Sequence, residues 1–156
     1  MITITLITKI SCPLERVFAY TTNRANLPHW FAGVHKVVQD EPNRIGTTAT
    51  ITAQLLGLPF SFASEIVAYE PNRTYAVKAD KPFPLLESET FTQQGSGTQI
   101  DYQGTFHTPG FSRIMNPLLR WLFKRQLVTS FRKLRDVLES DEAVGYEPES
   151  FSTSLQ

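Results

Sequence analysis

Two glutamates, Glu87 and Glu89, are the residues whose type and spacing could do chemistry. They lie in a predicted strand over residues 86–93 and alternate in step with Phe91, so the three side chains share one face. If Phe91 faces the protein interior, both carboxyl groups do too, and burial would raise their pKa values and suit them to general acid–base catalysis. The alternative is an edge position beside the loop at Pro82–Pro84, where both carboxylates would be solvated.

The other polar residues do not form a pattern typical of a catalytic or metal site. The histidines His29, His35 and His107 have no metal-ligand spacing, and we predict no metal and no cofactor. His29 could touch a ligand beside Trp30, but a surface or capping role is the plainer interpretation. The single cysteine, Cys12, is expected to be a small buried hydrophobe. The catalytic chemistry left open is proton transfer, or templating of a substrate, by pocket residues.

The composition is typical of one ordinary globular domain. The chain has 156 residues, 41% of them hydrophobic, which suits a single domain with a real core. Its 15 basic and 15 acidic residues balance, so net charge gives no case for nucleic-acid binding. The N-terminus lacks the pattern of a signal peptide and no run is long enough for a membrane helix, so we expect a soluble, cytoplasmic protein.

The elements that must position the glutamates follow from hydrophobic periodicity and turn signals. The predicted strands are 2–9, 34–38, 47–56, 60–69, 74–79, 86–93 and 98–107, and two short helices are predicted at 13–21 and 24–30. Short turns between successive strands favour an antiparallel meander. Asn116 and Pro117 predict the start of a long helix that runs to about Ser140. We therefore predict a domain over residues 1–140 and an acidic, disordered tail over 141–156.

Several short motifs follow one another along residues 1–140 in a definite order. They are Pro13, Glu15, Val17, Phe18, Pro28, Trp30, Gly46-Thr47, Glu65–Pro71, Gly97-Thr98 and the helical segment Lys133–Glu139. Together they resemble the START-like (SRPBCC) superfamily, in its polyketide cyclase/dehydrase and lipid-transport branch. The resemblance implies an α+β helix-grip fold, in which a curved antiparallel sheet wraps around a long C-terminal helix and two short helices follow the first strand. It also implies a cavity for a hydrophobic small molecule between sheet and helix.

Strand parity, the second short helix and the terminal helix together predict the lining of such a cavity. The expected ligand-binding residues are Trp30, Ile51, Phe62, Ser64, Tyr75, Phe91, Tyr102, Phe106, Met115, Leu119 and Trp121. Pockets of this kind are mostly apolar, with a few polar groups that orient the ligand. The same side chains could instead fill a solid core. Glu65 lies on the face opposite Phe62 and is expected to point to solvent.

The basic residues are concentrated in the predicted C-terminal helix. Seven of the fifteen fall between Arg113 and Arg135, among large apolar side chains. This arrangement is also typical of a helix that lies on a membrane surface. The plainer interpretation is a core helix with a solvated basic face, partly neutralised by the acidic segment after Asp136. Peripheral contact with an anionic membrane or a protein through residues 113–135 therefore stays open.

Three functions are compatible with these features. The first expectation is binding or carriage of a hydrophobic molecule, lipid-like or polycyclic. The second is a cofactor-independent cyclase or dehydratase that moves protons with Glu87, Glu89 or a pocket tyrosine. The third is a partner-binding or membrane-surface module that uses the basic helix. A buried glutamate beside an open cavity would favour the enzyme, whereas a solid core would leave only the third function.

Overall fold

The structure, a computed structural model, describes residues 1–55, 57–108 and 114–143. Its strands are β1 (Ile2–Ile10), β2 (Val34–Val38), β3 (Thr48–Leu55), β4 (Leu58–Glu70), β5 (Thr74–Ala79), β6 (Leu85–Gln94) and β7 (Gly97–Phe106). Its helices are α1 (Leu14–Thr22), a 3₁₀ turn (Arg24–Asn26), α2 (Leu27–Trp30) and α3 (Asn116–Ala143). The predicted elements are therefore all present, with boundaries shifted by at most a few residues.

Pro13 fixes the start of α1, one residue later than the sequence predicts. Its ψ of 146° is extended rather than helical, so Pro13 is the N-cap residue and the helix begins at Leu14. Glu15 lies in the first turn, where a carboxylate favours the positive end of the helix dipole. Val17 and Phe18 are buried, and they anchor α1 to the sheet.

The seven strands form one antiparallel sheet in the order β1-β7-β6-β5-β4-β3-β2. Strands β2 to β7 pair in chain order as a meander, and β1 returns to pair with β7. The register shifts between Val34 and Lys36 in β2 and between Ile66 and Ala68 in β4. Such irregularities bend a strand and increase its twist. With α3 against this sheet and short helices after β1, the predicted α+β helix-grip fold is confirmed.

The core between α3 and the sheet changes in character along the helix. In the C-terminal half of α3, Leu134 and Leu138 are fully buried, and Phe131 packs against Trp30 and Tyr102 at centroid distances of 5.6 and 5.3 Å. Each such burial contributes about 1.5–3 kcal/mol to stability. In the N-terminal half, buried α3 side chains border open space instead. The core is therefore solid at one end and hollow at the other.

The C-terminal helix is slightly longer than predicted. It ends at Ala143 rather than near Ser140, so it continues into the predicted tail. The rest of that tail, residues 144–156, lies outside the described residues. Among the residues that the structure describes, no helix is both long and apolar enough to cross a membrane.

Candidate functional site: a cavity between the sheet and α3

The hollow end of the core is a cavity of about 140 Å³. It is lined by side chains from α1, α2, the inner faces of β3 to β7 and the N-terminal half of α3. A water needs about 10–15 Å³, and a cavity of about 150 Å³ can hold benzene. The space therefore accepts several waters or one aromatic ring. Much of the lining is aromatic, including Phe60, Phe62, Phe83, Phe106 and Phe123.

The cavity has an open end and a closed end. Gln54 and Pro82 line it close to the β3–β4 and β5–β6 connections, and both are exposed. Ser64, Tyr75 and Glu89 line it farther along their strands, and all three are buried. The open end therefore lies between these two connections, and the buried polar residues lie at the closed end.

Glu87 and Glu89 face this cavity from β6, which is the inward orientation that Phe91 predicts. In the sheet register, Glu89 lies between Tyr75 of β5 and Tyr102 of β7. Glu89 is 8% exposed, and its Oε2 atom has no hydrogen-bond partner among the described residues. Glu87 is partly exposed, so it keeps access to the cavity space. The solvated edge position considered above is therefore not the one observed.

The hydroxyl of Tyr102 donates a hydrogen bond of 3.1 Å to Oε1 of Glu87. Gly104, on the same face of β7 and directly opposite Glu87, makes room for this bond. A Cβ at position 104 would collide with the Tyr102 hydroxyl and come within 3.0 Å of the Phe106 ring. The absence of a side chain at Gly104 thus lets the tyrosine reach across to the carboxyl group.

Burial raises the pKa of both carboxyl groups. Desolvation raises the pKa of Glu87 to about 7, and the hydrogen bond from Tyr102 opposes part of that rise by stabilising the charged form. Desolvation also raises the pKa of Glu89 to about 8, and the neighbouring Glu87 charge adds to the effect. Near neutral pH, Glu87 is therefore the stronger acid of the pair and Glu89 keeps its proton more firmly.

Arg24, which sequence reasoning missed, also lines the cavity and is only 3% exposed. It sits in the 3₁₀ turn between α1 and α2, and its guanidinium is hydrogen-bonded to Gln39, Ser64 and Thr47. Desolvation lowers the pKa of Arg24, whereas its interaction with Tyr75 opposes this change. These bonds tie the helical segment to the sheet and hold a positive charge at the closed end of the cavity.

Polar groups that lack a partner are concentrated in the lining. Five buried side-chain nitrogen or oxygen atoms have no hydrogen-bond partner in the part of the chain that the structure describes. Four belong to cavity-lining residues: Thr21 (Oγ1), Trp30 (Nε1), Tyr75 (OH) and Glu89 (Oε2). Because a buried polar group is costly to leave unpaired, such groups are normally satisfied by protein, water or ligand. The cavity thus presents apolar surface together with several free donors and acceptors.

A model of the family described as polyketide cyclase/dehydrase and lipid transport matches residues 1–139. The chain belongs to this family. The resemblance predicted from the motifs is therefore confirmed over residues 1–139. No curated protein matches it.

Several solved structures are similar to this chain in shape, at low sequence identity. The Zhui aromatase/cyclase from Streptomyces sp. R1128 superimposes with a TM-score of 0.79 at 13% identity, over 93% of this chain and 98% of that chain. TTHA0849 from Thermus thermophilus has a TM-score of 0.75 at 14% identity, over 88% and 97% of the two chains. Ara h 8.0201 has a TM-score of 0.71 at 18% identity, over 88% and 97%. At these identities the likeness shows the fold alone.

The structure gathers most of the predicted site residues of this family member around one cavity. Those that line it are Trp30, Ile51, Phe62, Ser64, Tyr75, Glu87, Glu89 and Phe106. Among the predicted candidates outside it, the histidines His29, His35 and His107 do not line the cavity, and all three are exposed. In the described residues no group of three or more His, Cys, Asp or Glu side chains could hold a metal ion.

Two predicted residues of the sheet lie beside the cavity rather than in its lining. Phe91 shares the inner face with the glutamates, but at its position α1 covers the sheet and Phe18 packs on it at 5.0 Å. Tyr102 is buried behind Glu87 against Phe131. Strand parity gives the face of each residue, but it does not say where a helix covers that face.

Three predicted residues of the C-terminal segment also lie outside the lining. Met115 and Trp121 are exposed, and Leu119 is partly buried against the core. Phe123 and Leu127 line the cavity instead. Trp121 precedes Phe123 by two residues, which is more than half a helical turn, so the two side chains point in nearly opposite directions.

Proposed function

We propose that this protein binds a small, mostly apolar molecule in the cavity between the sheet and α3. The observation that carries the proposal is the cavity itself, whose aromatic lining contains four buried polar atoms without a partner among the described residues. Burial of apolar ligand surface would contribute about 25 cal/mol per Å². The polar atoms would orient oxygen groups of the ligand. Membership of a family described by polyketide and lipid chemistry supports a hydrophobic ligand.

Native mass spectrometry of the protein purified from its own host tests this proposal. We expect a co-purified small molecule that is lost in Phe62→Trp, because the larger ring would occupy the cavity. Ala63→Trp is the matched control, since Ala63 is adjacent in β4 and exposed. A molecule retained equally by both variants would show that binding occurs elsewhere.

Proton transfer is a second candidate function, favoured by the position of the two glutamates. Ionised Glu87 would remove a proton from a carbon beside a ligand carbonyl, and protonated Glu89 would donate its proton to the carbonyl oxygen as the enol forms. In a dehydration the donated proton would leave with a hydroxyl group as water. The raised pKa values of about 7 and 8 suit this exchange near neutral pH. The similarity to a protein named aromatase/cyclase is in keeping with such chemistry.

Deuterium exchange of phenylacetone, a ketone with a single ring, in buffered D₂O, followed by NMR, tests proton transfer without knowledge of the natural substrate. We expect the protein to accelerate exchange at the carbons beside the carbonyl, and Glu89→Gln to lose about 100-fold or more of that acceleration. Glu65→Gln is the control, because Glu65 lies on β4 and pairs at the surface with Lys78. Equal rates for the protein and buffer alone would contradict the enzyme proposal while leaving ligand binding intact.

The third candidate, contact with an anionic membrane, is favoured by the first turns of α3 and the residues just before it. Ile114, Leu118 and Trp121 are 86%, 51% and 54% exposed, and the exposed Arg125 guanidinium lies 5.4 Å from the Trp121 ring centroid. Apolar side chains beside basic ones are suited to the surface of an anionic bilayer. Arg113, part of the predicted basic helix, lies outside the described residues.

Vesicle sedimentation tests this membrane proposal. We expect binding to vesicles with anionic phosphatidylglycerol but not to pure phosphatidylcholine, and loss of binding in Trp121→Ala. Equal sedimentation with both compositions would argue against it.

A further inference from the structure

Arg24 is a buried cation without a counter-ion in the part of the chain that the structure describes. It is 3% exposed, and no carboxylate among the described residues pairs with it. All its hydrogen-bond partners are neutral. Nε donates to Gln39 Oε1 at 2.8 Å, and one terminal nitrogen donates to the Thr47 carbonyl at 3.1 Å. The other terminal nitrogen donates to the carbonyl and the hydroxyl of Ser64 at 2.6 and 3.3 Å. Buried charges are normally paired, because desolvation is expensive. The charge of Arg24 is thus held in place without being neutralised.

The guanidinium also keeps unused donor capacity. Arginine has five N–H groups in a planar fork. The four hydrogen bonds of Arg24 account for at most four of them, so at least one N–H is left for another acceptor. Since Arg24 lines the cavity, that acceptor can come from a bound ligand.

Two hydroxyl groups lining the same cavity lack partners. Tyr75 and Thr21 are 6% and 3% exposed, and neither hydroxyl is hydrogen-bonded within the described ranges. The neighbouring Thr22 shows the usual behaviour in a helix, because its hydroxyl donates to the Phe18 carbonyl at 2.8 Å. Tyr75 is also close enough to Arg24 for the positive charge to act on its phenol group. Two O–H donors without a described partner and a cation therefore line the same cavity.

We propose that Arg24, Tyr75 and Thr21 form a subsite for an anionic oxygen, such as a carboxylate, carried by an otherwise apolar ligand. A carboxylate there would neutralise the arginine and accept hydrogen bonds from its free N–H and from both hydroxyls. Charge-assisted bonds of this kind are about twice as strong as neutral ones. The proposal rests on the proposed function, since it adds the orientation and charge of a ligand that the cavity must first admit.

Calorimetric titration with two probes of one shape, benzoate and benzamide, tests the subsite. Both place a single ring in the cavity, but only the benzoate carries an anionic oxygen. We expect the benzoate to bind the unmodified protein about 10- to 100-fold more tightly than the benzamide. Arg24→Gln should remove most of that difference, so that the two probes bind within about threefold of each other. Because Arg24 also ties the helical segment to the sheet, Tyr75→Phe and Thr21→Val provide milder variants, each expected to weaken the binding of benzoate more than that of benzamide.

The control variant is Phe62→Trp, which should weaken both probes equally by filling the cavity. Equal affinity of the two probes for the unmodified protein would overturn the subsite while leaving the proposed ligand cavity in place. The same conclusion would follow if Tyr75→Phe and Thr21→Val left benzoate binding unchanged. Failure of both probes to bind would overturn the subsite and also count against the proposed function.

Discussion

Replacement of Glu89 by glutamine should remove the larger of two contributions that make the stability of the protein depend on pH, the other being that of Glu87. Glutamine has the shape of a protonated glutamate but cannot ionise. The pKa of Glu89 is raised from 4.5 to about 8 by burial, so the folded state holds this proton more tightly than the unfolded state. Below about pH 4.5 the group is protonated in both states and imposes no penalty. Between pH 4.5 and about 8 only the unfolded chain ionises, so the free energy of unfolding falls as pH rises.

The size of the effect follows from the same shift. At about 1.4 kcal/mol per pKa unit, the change from 4.5 to about 8 corresponds to an upper limit of about 5 kcal/mol, reached above pH 8. Water in the cavity would reduce that penalty, and we expect about 2–3 kcal/mol. This is a large part of a typical domain stability of about 5–15 kcal/mol.

Urea unfolding at pH 5, 7 and 9 measures the effect. The advantage of Glu89→Gln over the unmodified protein should grow steadily from pH 5 to pH 9. Glu65→Gln is the control for a glutamate that is not buried, because its side chain is 41% exposed. Parallel profiles for Glu89→Gln and the unmodified protein would refute the reasoning, since they would mean that Glu89 ionises as readily when folded as when unfolded.

Three further predictions concern single side chains. Tyr102→Phe should raise the pKa of Glu87 further, because it removes the hydrogen bond that stabilises the carboxylate. Carbon-13 NMR of the Glu87 carboxyl group measures this pKa, and an unchanged or lower value would contradict the prediction. Trp30→Ala should lower the free energy of unfolding in urea by about 3–5 kcal/mol, whereas Trp121→Ala should lower it by less than about 0.5 kcal/mol. The reason is that Trp30 is 2% exposed and Trp121 is 54% exposed. Similar losses for the two variants would argue against the orientation of α3. The Cys12 thiol, 1% exposed, should react with a thiol reagent only as fast as the protein opens, so rapid labelling of the folded protein would disagree with its burial.

The fold could be predicted from the sequence because the patterns that indicate it involve only neighbouring residues. Alternation of apolar and polar residues, as in Ile2–Ile10, depends only on strand geometry, and the short connections left an antiparallel meander as the natural pairing. The inward orientation of Glu87 and Glu89 followed from the same alternation, with Phe91 as the reference. Such features need no knowledge of distant partners.

The parts of the site that the sequence did not reveal depend on distant residues. Arg24 stands in a polar turn segment, and nothing near it predicts burial; its partners Thr47 and Ser64 are 23 and 40 positions away. The position of Phe91 outside the cavity depends on where α1 crosses the sheet. The exposure of Trp121 depends on the rotation of α3, which is set by packing farther along the helix.

The side-chain volume at position 104, on β7, controls the pKa of Glu87 on the neighbouring strand β6. Because Gly104 has no side chain, the Tyr102 hydroxyl can reach Glu87. Even an alanine at this position would change the pKa of Glu87, although neither Glu87 nor Tyr102 is itself replaced. Steric contacts alone can therefore change the proton affinity of the carboxyl groups that line the cavity. A variant series at position 104 would give proteins of one fold whose carboxyl groups ionise at different pH.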